Sequence, residues 1–141
     1  MNTEENQAQI TYLPDEMDLE RVCDFVMSSY WGLKLDKAQI MGSFAHSSCV
    51  ALMTGDTQIA FARAVSDRTT CAHIKDFFVF DGFRGKGYGT HLLTGLLKHP
   101  DLLAVPQWYL GTKNAHAFYR RHGFKPSPEG IYMYRHLART V

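Results

Sequence analysis

The sequence predicts an α/β fold in which one mixed β-sheet is flanked by helices. Two β-rich runs, 48–53 and 58–65, flank a Gly-Asp turn and indicate a hairpin. A third run, 71–80, is followed by a glycine turn and then by leucines at helical spacing. A strand, turn and helix in this order favour a parallel neighbour, so the sheet should combine parallel and antiparallel strands. The 141 residues are expected to form one domain, 1–141.

The residues before the hairpin predict one strand and two helices. Residues 9–13 alternate as a strand should, and Pro14 ends the pattern. Asp15 is a suitable N-cap for a helix over 17–29, in which apolar residues form a stripe. A short second helix is expected to begin near Asp36.

The residues after the glycine turn predict two helices and three short strands. The leucine-rich helix should end at Pro100, and 105–112 should form a strand. A helix over 114–123 has Gly123 as its C-cap. The segment 124–137 resembles a last strand pair around a Pro/Gly turn. The expected order is therefore β-α-α-β-β-β-α-β-α-β-β.

Composition and charge exclude several classes of protein. The net charge of +1 gives no general attraction to nucleic acid or to an anionic membrane, and neither is expected as a partner. Cys23, Cys49 and Cys71 lack the spacing of a zinc site, so no metal is expected and the thiols should be reduced. Because no signal sequence or long apolar run is present, a cytoplasmic location is expected.

The stretch RGKGYGT, 84–90, is the strongest local signal for a ligand. Its glycines at alternate positions bring bare N–H groups close to something anionic, and Arg84 and Lys86 add positive charge. A Walker loop is excluded because Lys86 is misplaced, and a dinucleotide fingerprint is excluded because Thr90 replaces the last glycine. The pattern R-x-x-G-x-G at a helix N-terminus fits a pyrophosphate. A merely tight strand-to-helix turn is the alternative.

Two motifs resemble the signatures of the GNAT superfamily of acyl-CoA-dependent N-acyltransferases. DFFVFDGFRGKGYGTHLL is similar to the strand, pyrophosphate loop and helix that bind coenzyme A. TKNAHAFYRRHGF is similar to the second motif, A-x-x-F-Y-x-x-x-G-F. The resemblance implies a central mixed sheet of six to seven strands, about four flanking helices, and a splay between strands four and five. It also implies acetyl-CoA as the acyl donor and direct attack of a primary amine in a ternary complex.

The resemblance also implies which residues bind the donor. In such proteins the pantetheine arm pairs with strand four as an added strand. By position, the expected contacts are Phe78, Val79, Arg84, Gly85, Lys86, Gly87, Tyr88, Gly89, Thr90, Asn114 and Tyr119. The sequence departs from the family pattern at Thr112, where Asn is common, and at Asp81, where Pro is common.

Acyl transfer to an amine needs a proton acceptor for the amine and a donor for the leaving thiolate. Tyr119 occupies the family position of the general acid. Polyamine acetyltransferases carry a Glu before the Asp of this motif, and here that position is Lys75. Asp76 is therefore the first candidate for the base and His73 the second. They are three positions apart, so they face opposite sides of a regular strand unless a bulge intervenes.

Two adjacent aromatic residues mark the region where the acceptor is expected to bind. Tyr30 and Trp31, between the first two helices, could stack on an amine substrate, together with Asp76. The acceptor is a small molecule or a peptide, and its identity, the acyl chain and the oligomeric state stay open, with a homodimer among the options. The competing function is a non-catalytic acyl-CoA-binding regulatory module on the same fold.

Overall fold

The computed structural model describes residues 8–29 and 35–136 of the chain. The chain divides into two compact units, Met1–Leu110 and Gly111–Val141. The first unit contains the sheet and the glycine turn. The second contains the motif around Tyr119. The prediction of a single domain over 1–141 stays a prediction.

The first unit is built on a mixed sheet whose strands lie in chain order. The sheet has five strands among the described residues, in the order β1-β2-β3-β4-β5. Strands β1 to β4 pair antiparallel, whereas β4 and β5 pair parallel, which confirms the predicted α/β class. The sheet is smaller than the six to seven strands expected. Its strands are Gln9–Thr11, Ser48–Thr54, Thr57–Ser66, Ala72–Val79 and Trp108–Tyr109.

Three α-helices flank this sheet. They are α1 (Leu19–Met27), α2 (Lys37–Phe44) and α3 (Tyr88–Leu97), with 3₁₀ turns at Pro14–Glu16 and Pro100–Leu102. The predicted cap of the first helix is wrong, because Asp15 lies in the first 3₁₀ turn. Asp18 caps α1 instead, and its carboxylate accepts the N–H of Arg21 at 3.1 Å. The start of α2 is as predicted, because Asp36 forms a capping box with Gln39.

The helices cover the two faces of the sheet with apolar side chains. One face packs against α1 and α2 through a core that includes Phe44, Phe61 and Phe78. The other face is covered by α3, which packs on β2 and β3 and buries three leucines, Leu92, Leu93 and Leu96. The glycine turn therefore joins β4 directly to the helix that crosses one face.

The second unit contains α4 (His116–Arg120), a shorter helix than the one expected over 114–123. Gly123 closes it as predicted, with φ of 93°, and the N–H of Phe124 reaches the carbonyl of Tyr119 at 3.1 Å. The strand pair expected over 124–137 is absent from its described part, 124–136. Two prolines in this segment lack the N–H that a ladder needs, which is the physical reason.

No helix in the part of the chain described here is long and apolar enough to cross a membrane.

Candidate functional site

The glycine turn between β4 and α3 adopts the backbone conformation that its sequence suggests. Gly85 and Gly87 have φ of 79° and 84°, in the left-handed region that glycine enters without strain. Gly87 is the N-cap of α3, and no side chain caps the helix. The turn is exposed, although Tyr88 at its end is buried. The turn therefore exposes main-chain groups, rather than a capping side chain, at the start of α3.

The N–H groups of this turn are available to a ligand. Within the described residues, none of the N–H groups from Gly85 to Gly89 donates a hydrogen bond to the protein. Successive N–H groups at a helix N-terminus form a concave site for an anion, and the helix dipole adds partial positive charge. Arg84 and Lys86 are both exposed here. The turn thus combines oriented N–H groups with positive charge, as a pyrophosphate requires.

Arg84 also ties the turn to the end of β4. Its Nε donates to the carbonyl oxygen of Val79 at 2.9 Å. Its NH1 lies 3.2 Å from a carboxylate oxygen of Asp81. This exposed ion pair joins Asp81 to the same turn.

Strands β4 and β5 separate soon after they pair. Their register includes two residue pairs, Ala72 with Trp108 and His73 with Tyr109. The N–H of Ala72 donates to the carbonyl of Gln107 at 2.9 Å. Beyond these pairs, no strand in the described part of the chain pairs with residues 74–79 on the β5 side. The two strands therefore open an edge of β4 that leads toward the glycine turn.

A β-bulge interrupts the pairing of β4 with β3. Asp76 lies opposite Arg63 on β3, but the next residue of β3, Ala64, lies opposite Ile74, so Lys75 is an extra residue. The N–H of Phe80 donates to β3, at the carbonyl of Ile59, at 2.9 Å.

Main-chain directions alternate along an antiparallel strand. Because Phe80 faces β3, so does Phe78, and the main-chain groups of Phe77 and Val79 face the opening. The main-chain groups of Phe78 therefore face β3. The donor contacts expected of Phe78 and Val79 stay predictions, and Phe77 is a further candidate.

The same bulge places His73 and Asp76 on one face of the sheet. His73 lies opposite Val65 and Asp76 lies opposite Arg63. Residues directly opposite share a face, and Val65 and Arg63, two apart on β3, also share one. That face carries the core of α1 and α2. Both candidates for the base can therefore serve one site.

Asp76 is committed to a buried ion pair. The side chains of Asp76 and Arg63 are 3% and 13% exposed, and Arg63 Nε lies 2.5 Å from Asp76 Oδ2. Arg63 NH1 also donates to Ser47 Oγ at 2.8 Å, and the guanidinium lies 5.7 Å from the ring centre of Phe44. Partners on three sides fix Arg63 in place, and the carboxylate of Asp76 with it.

His73 differs from Asp76 in exposure and in charge. It is exposed beside the last residue pair of β4 and β5. Partial burial and the nearby ammonium of Lys75 lower the pKa of its imidazole below the usual 6.5. The ring is therefore neutral at neutral pH and can accept a proton.

The second motif lies in the second unit. Tyr119 is buried in α4 against the rings of Phe118 and Phe124, at 5.0 and 5.6 Å between ring centres. Burial raises the pKa of its phenol to about 12, so the hydroxyl keeps its proton at neutral pH. Asn114 is exposed just before α4. The hydroxyl of Thr112 accepts the N–H of Ala115 at 3.1 Å.

Sequence reasoning missed two features of this site. Arg63 was not singled out, although an arginine inside an otherwise apolar strand is a signal for a buried partner. Phe77, whose main-chain groups face the opening, was not singled out, because the sequence does not show which main-chain groups of a strand pair with its neighbour. Tyr30 and Trp31, the expected acceptor contacts, lie outside the described residues. The described residues contain no group of three or more His, Cys, Asp or Glu side chains that could hold a metal ion.

The chain is similar to known acetyltransferases in sequence and in fold. The model of the acetyltransferase (GNAT) domain family matches residues 45–126. An uncharacterised N-acetyltransferase of Gracilaria tenuistipitata var. liui, ycf52, is 30% identical over 118 residues. That match covers 81% of this chain, and the chain spans 64% of the length of that relative.

Solved structures share the fold. A protein of Xanthomonas campestris pv. campestris, assigned to the GNAT family of acetyltransferases, has a TM-score of 0.84 and 29% identity, with 92% and 93% of the two chains covered. A protein of Deinococcus radiodurans R1 assigned as an acetyltransferase has a TM-score of 0.69 and 18% identity, with 96% and 92% covered, and shows the fold alone. With a family model over more than half of its length and a glycine turn beside an opened strand, the chain belongs to the GNAT acetyltransferase family.

Proposed function

We propose that this protein transfers an acetyl group from acetyl-CoA to a primary amine. The observation that carries the proposal is the open edge of β4 beside the glycine turn. The family generally uses acetyl-CoA, a donor with a pyrophosphate at one end and an amide-containing arm that ends in a thioester. The turn offers N–H groups and cations for the first, and the second can lie along the edge of β4 that β5 does not cover.

The order of these features along the chain orients the donor. The glycine turn follows the C-terminal end of β4, and the bulge lies in its N-terminal half. If the pyrophosphate of acetyl-CoA binds at the turn, its amide-containing arm lies along Val79 and then Phe77. The acyl end then lies toward the bulge. An N–H of β4 directed at the carbonyl oxygen would stabilise the negative charge that develops there.

The reaction balances without a metal or an oxidant. The amine nitrogen forms a bond to the acyl carbon, and the bond from carbon to sulfur breaks. The amine loses a proton to a base, and the leaving thiolate gains one from an acid. We keep Tyr119 as the acid on the strength of its motif, and its raised pKa keeps the phenol protonated until it is needed.

His73 is the base that the local contacts favour. Asp76 is held by Arg63 in a buried pair, so its carboxylate is already engaged within the protein. His73 is exposed, neutral and on the same face, close to where the strands part. In this proposal Asp76 is a positioning residue: it fixes Arg63 and the bulge rather than taking the proton.

The test is a thioester assay with the purified chain. Acetyl-CoA is mixed with a panel of primary amines, and free thiol and acetylated amine are measured together. The proposal expects both products in equal amounts with at least one amine. Calorimetry with coenzyme A is the companion measurement. Binding of coenzyme A without turnover on any amine would instead favour the non-catalytic acyl-CoA-binding module.

We also propose that the protein works in the cytoplasm. Its three cysteines are free thiols, and two of them, Cys23 and Cys49, are buried. Unpaired cysteines are typical of proteins kept in a reducing compartment.

A further inference from the structure

Lys75 occupies a special position in β4. It is the extra residue of the bulge, two residues past the last pair of β4 with β5. Its side chain is exposed, and no carboxylate of the described residues forms an ion pair with it. An uncompensated cation thus lies at the point where the strands separate.

The other groups around this point leave its charge unbalanced. On β4, the carboxylate of Asp76 is already neutralised by Arg63 of β3. His73 is neutral near pH 7, because burial and then Lys75 lower its pKa. The residue facing His73 on β3 is Val65, and its neighbour on β5 is Tyr109. Among the described residues, the acyl end of the open edge therefore carries a net positive charge from Lys75.

We propose that Lys75 sets the charge of the acceptor: it selects amines that carry a carboxylate and selects against amines that carry a second cation. This inference rests on the proposed function, because it concerns the acceptor of the same site. A fixed cation attracts a carboxylate and repels an ammonium group at the same distance. Acidic amines or the N-termini of acidic peptides are therefore the favoured class, and diamines the disfavoured one.

The same cation assists the chemistry on any acceptor. A nearby like charge disfavours the protonated amine and so lowers its pKa. More of the bound amine is then in the reactive neutral form. Lys75 does not touch the reacting atoms in this account, so it acts on specificity and on the pH dependence rather than as a catalytic residue.

The experiment compares three amines of the same chain length that differ in charge: 4-aminobutanoate, 4-aminobutanamide and 1,4-diaminobutane. The readout is the ratio of kcat/KM for the carboxylate to kcat/KM for the diamine. Wild type should give the order carboxylate, amide, diamine. Lys75→Glu should lower the ratio by roughly 10-fold, since exposed charge pairs are each worth a few-fold and the reversal acts on both substrates. Lys75→Gln should give an intermediate ratio.

Lys98→Glu is the matched control. Lys98 is exposed at the end of α3, and the variant changes net charge equally. It should leave the ratio unchanged. The wild-type ratio should fall as salt is raised, because exposed charges are screened. Thermal unfolding of each variant confirms that it is folded.

The outcomes separate this inference from the proposed function. Absence of acetyl transfer to every amine would overturn the proposed function, and the inference with it. Transfer that favours 1,4-diaminobutane in wild type would overturn the inference alone. A ratio that Lys75→Glu and Lys98→Glu alter equally would also overturn it, because only net charge would then matter.

Discussion

At the scale of single residues, the contact between Arg63 and Asp76 distinguishes Asp76 from His73, the two candidates that the sequence offers for the base. The carboxylate of Asp76 is held by a guanidinium in the core, and breaking such a buried pair is strongly destabilising. An exposed neutral imidazole has no such restraint. The assignment of the base therefore follows from which side chain is already engaged.

His73→Gln is expected to lower kcat/KM at neutral pH by roughly 10²-fold, the usual effect of removing a general base. Activity should recover at about pH 9–10, where amines lose their proton in solution. In wild type, activity should rise as pH increases through the pKa of His73, which lies below 6.5. The measurement is a pH profile of kcat/KM for both proteins.

Asp76→Asn is the companion variant. It should keep most of its activity while the free energy of unfolding falls by about 3 kcal/mol, because it breaks a buried pair. A folded Asp76→Asn protein without activity, next to a fully active His73→Gln protein, would reverse the two roles.

The sequence could supply the candidates at this scale but could not choose between them. Their separation by three positions predicts opposite faces in a regular strand. The bulge at Lys75 overturns that expectation, and it depends on how β4 pairs with β3 rather than on any residue type. Arg63 shows the same limit, because its partner lies 13 residues further along the chain.

At the scale of elements, the glycine turn is where local sequence was most informative. Glycine at alternate positions predicts backbone near an anion, and two of these glycines adopt positive φ. The helix caps were less certain, since Asp15 and Asp18 are equally suitable by residue type. Asp18 caps α1 because its own N–H is held by the side chain of Gln58, at 2.6 Å.

Gly87→Val is expected to abolish binding of coenzyme A and leave the protein folded. A β-branched residue at φ of 84° is strained by about 1–3 kcal/mol, and its side chain would project where the anion must lie. Apart from the adjacent residues of the chain, no protein atom lies within 4 Å of the position of the added Cβ, so the side chain meets no obstacle there. Calorimetry with coenzyme A measures the loss.

Gly55→Val is the control that distinguishes backbone strain from loss of the binding site for coenzyme A. Gly55 has φ of 60° in the turn between β2 and β3, so the variant pays a similar cost in a turn without this role. It should bind coenzyme A as wild type does. Normal affinity in a folded Gly87→Val protein would remove the turn from the donor site.

At the scale of the whole molecule, a buried histidine joins distant parts of the first unit. His99 is 5% exposed just after α3, and its Nδ1 accepts the N–H of Asp101 at 3.1 Å. The ring lies edge-on to Tyr12, with 4.7 Å between ring centres. Asp101 in turn contacts Arg68 at 3.3 Å and Ser48 at 3.4 Å. The cluster links the region after β1, the start of β2, the turn before β4 and the end of α3.

This cluster should make the fold sensitive to mild acid. Desolvation lowers the pKa of His99 below 6.5, although Asp101 opposes the shift. The unfolded chain then binds a proton more readily, so stability is complete above about pH 6.5 and falls as pH drops toward the folded pKa. His73 acts in the same direction. Hydrogen bonds lower the pKa of Asp67. Its contribution to stability is therefore lost only when the pH falls below the usual 3.8.

His99→Asn, which keeps an acceptor near Nδ1, should reduce the fall in Tm between pH 7.5 and pH 5.5. Thermal unfolding followed by circular dichroism measures it. An equal fall in wild type and variant would place the acid sensitivity elsewhere.

The fold class could be predicted because strand alternation, the hairpin turn and the glycine turn are local signals. The last strand pair could not be predicted correctly. Residue periodicity alone favours it, but Pro126 and Pro128 lack the N–H groups that pairing between strands needs. Local pattern identifies elements, whereas pairing between strands determines the register and hence the site.

The bulge in β4 also makes the effect of deleting Lys75 predictable. For the ladder between β3 and β4, Lys75 is a surplus residue: without it, Ile74 and Asp76 would be consecutive and opposite Ala64 and Arg63, as in a regular strand. Deleting Lys75 would therefore preserve both faces of the sheet and every pair in register. What it would remove is the local bend. We expect the straightened β4 to pair with β5 over a longer stretch and so to narrow the opening between the two strands.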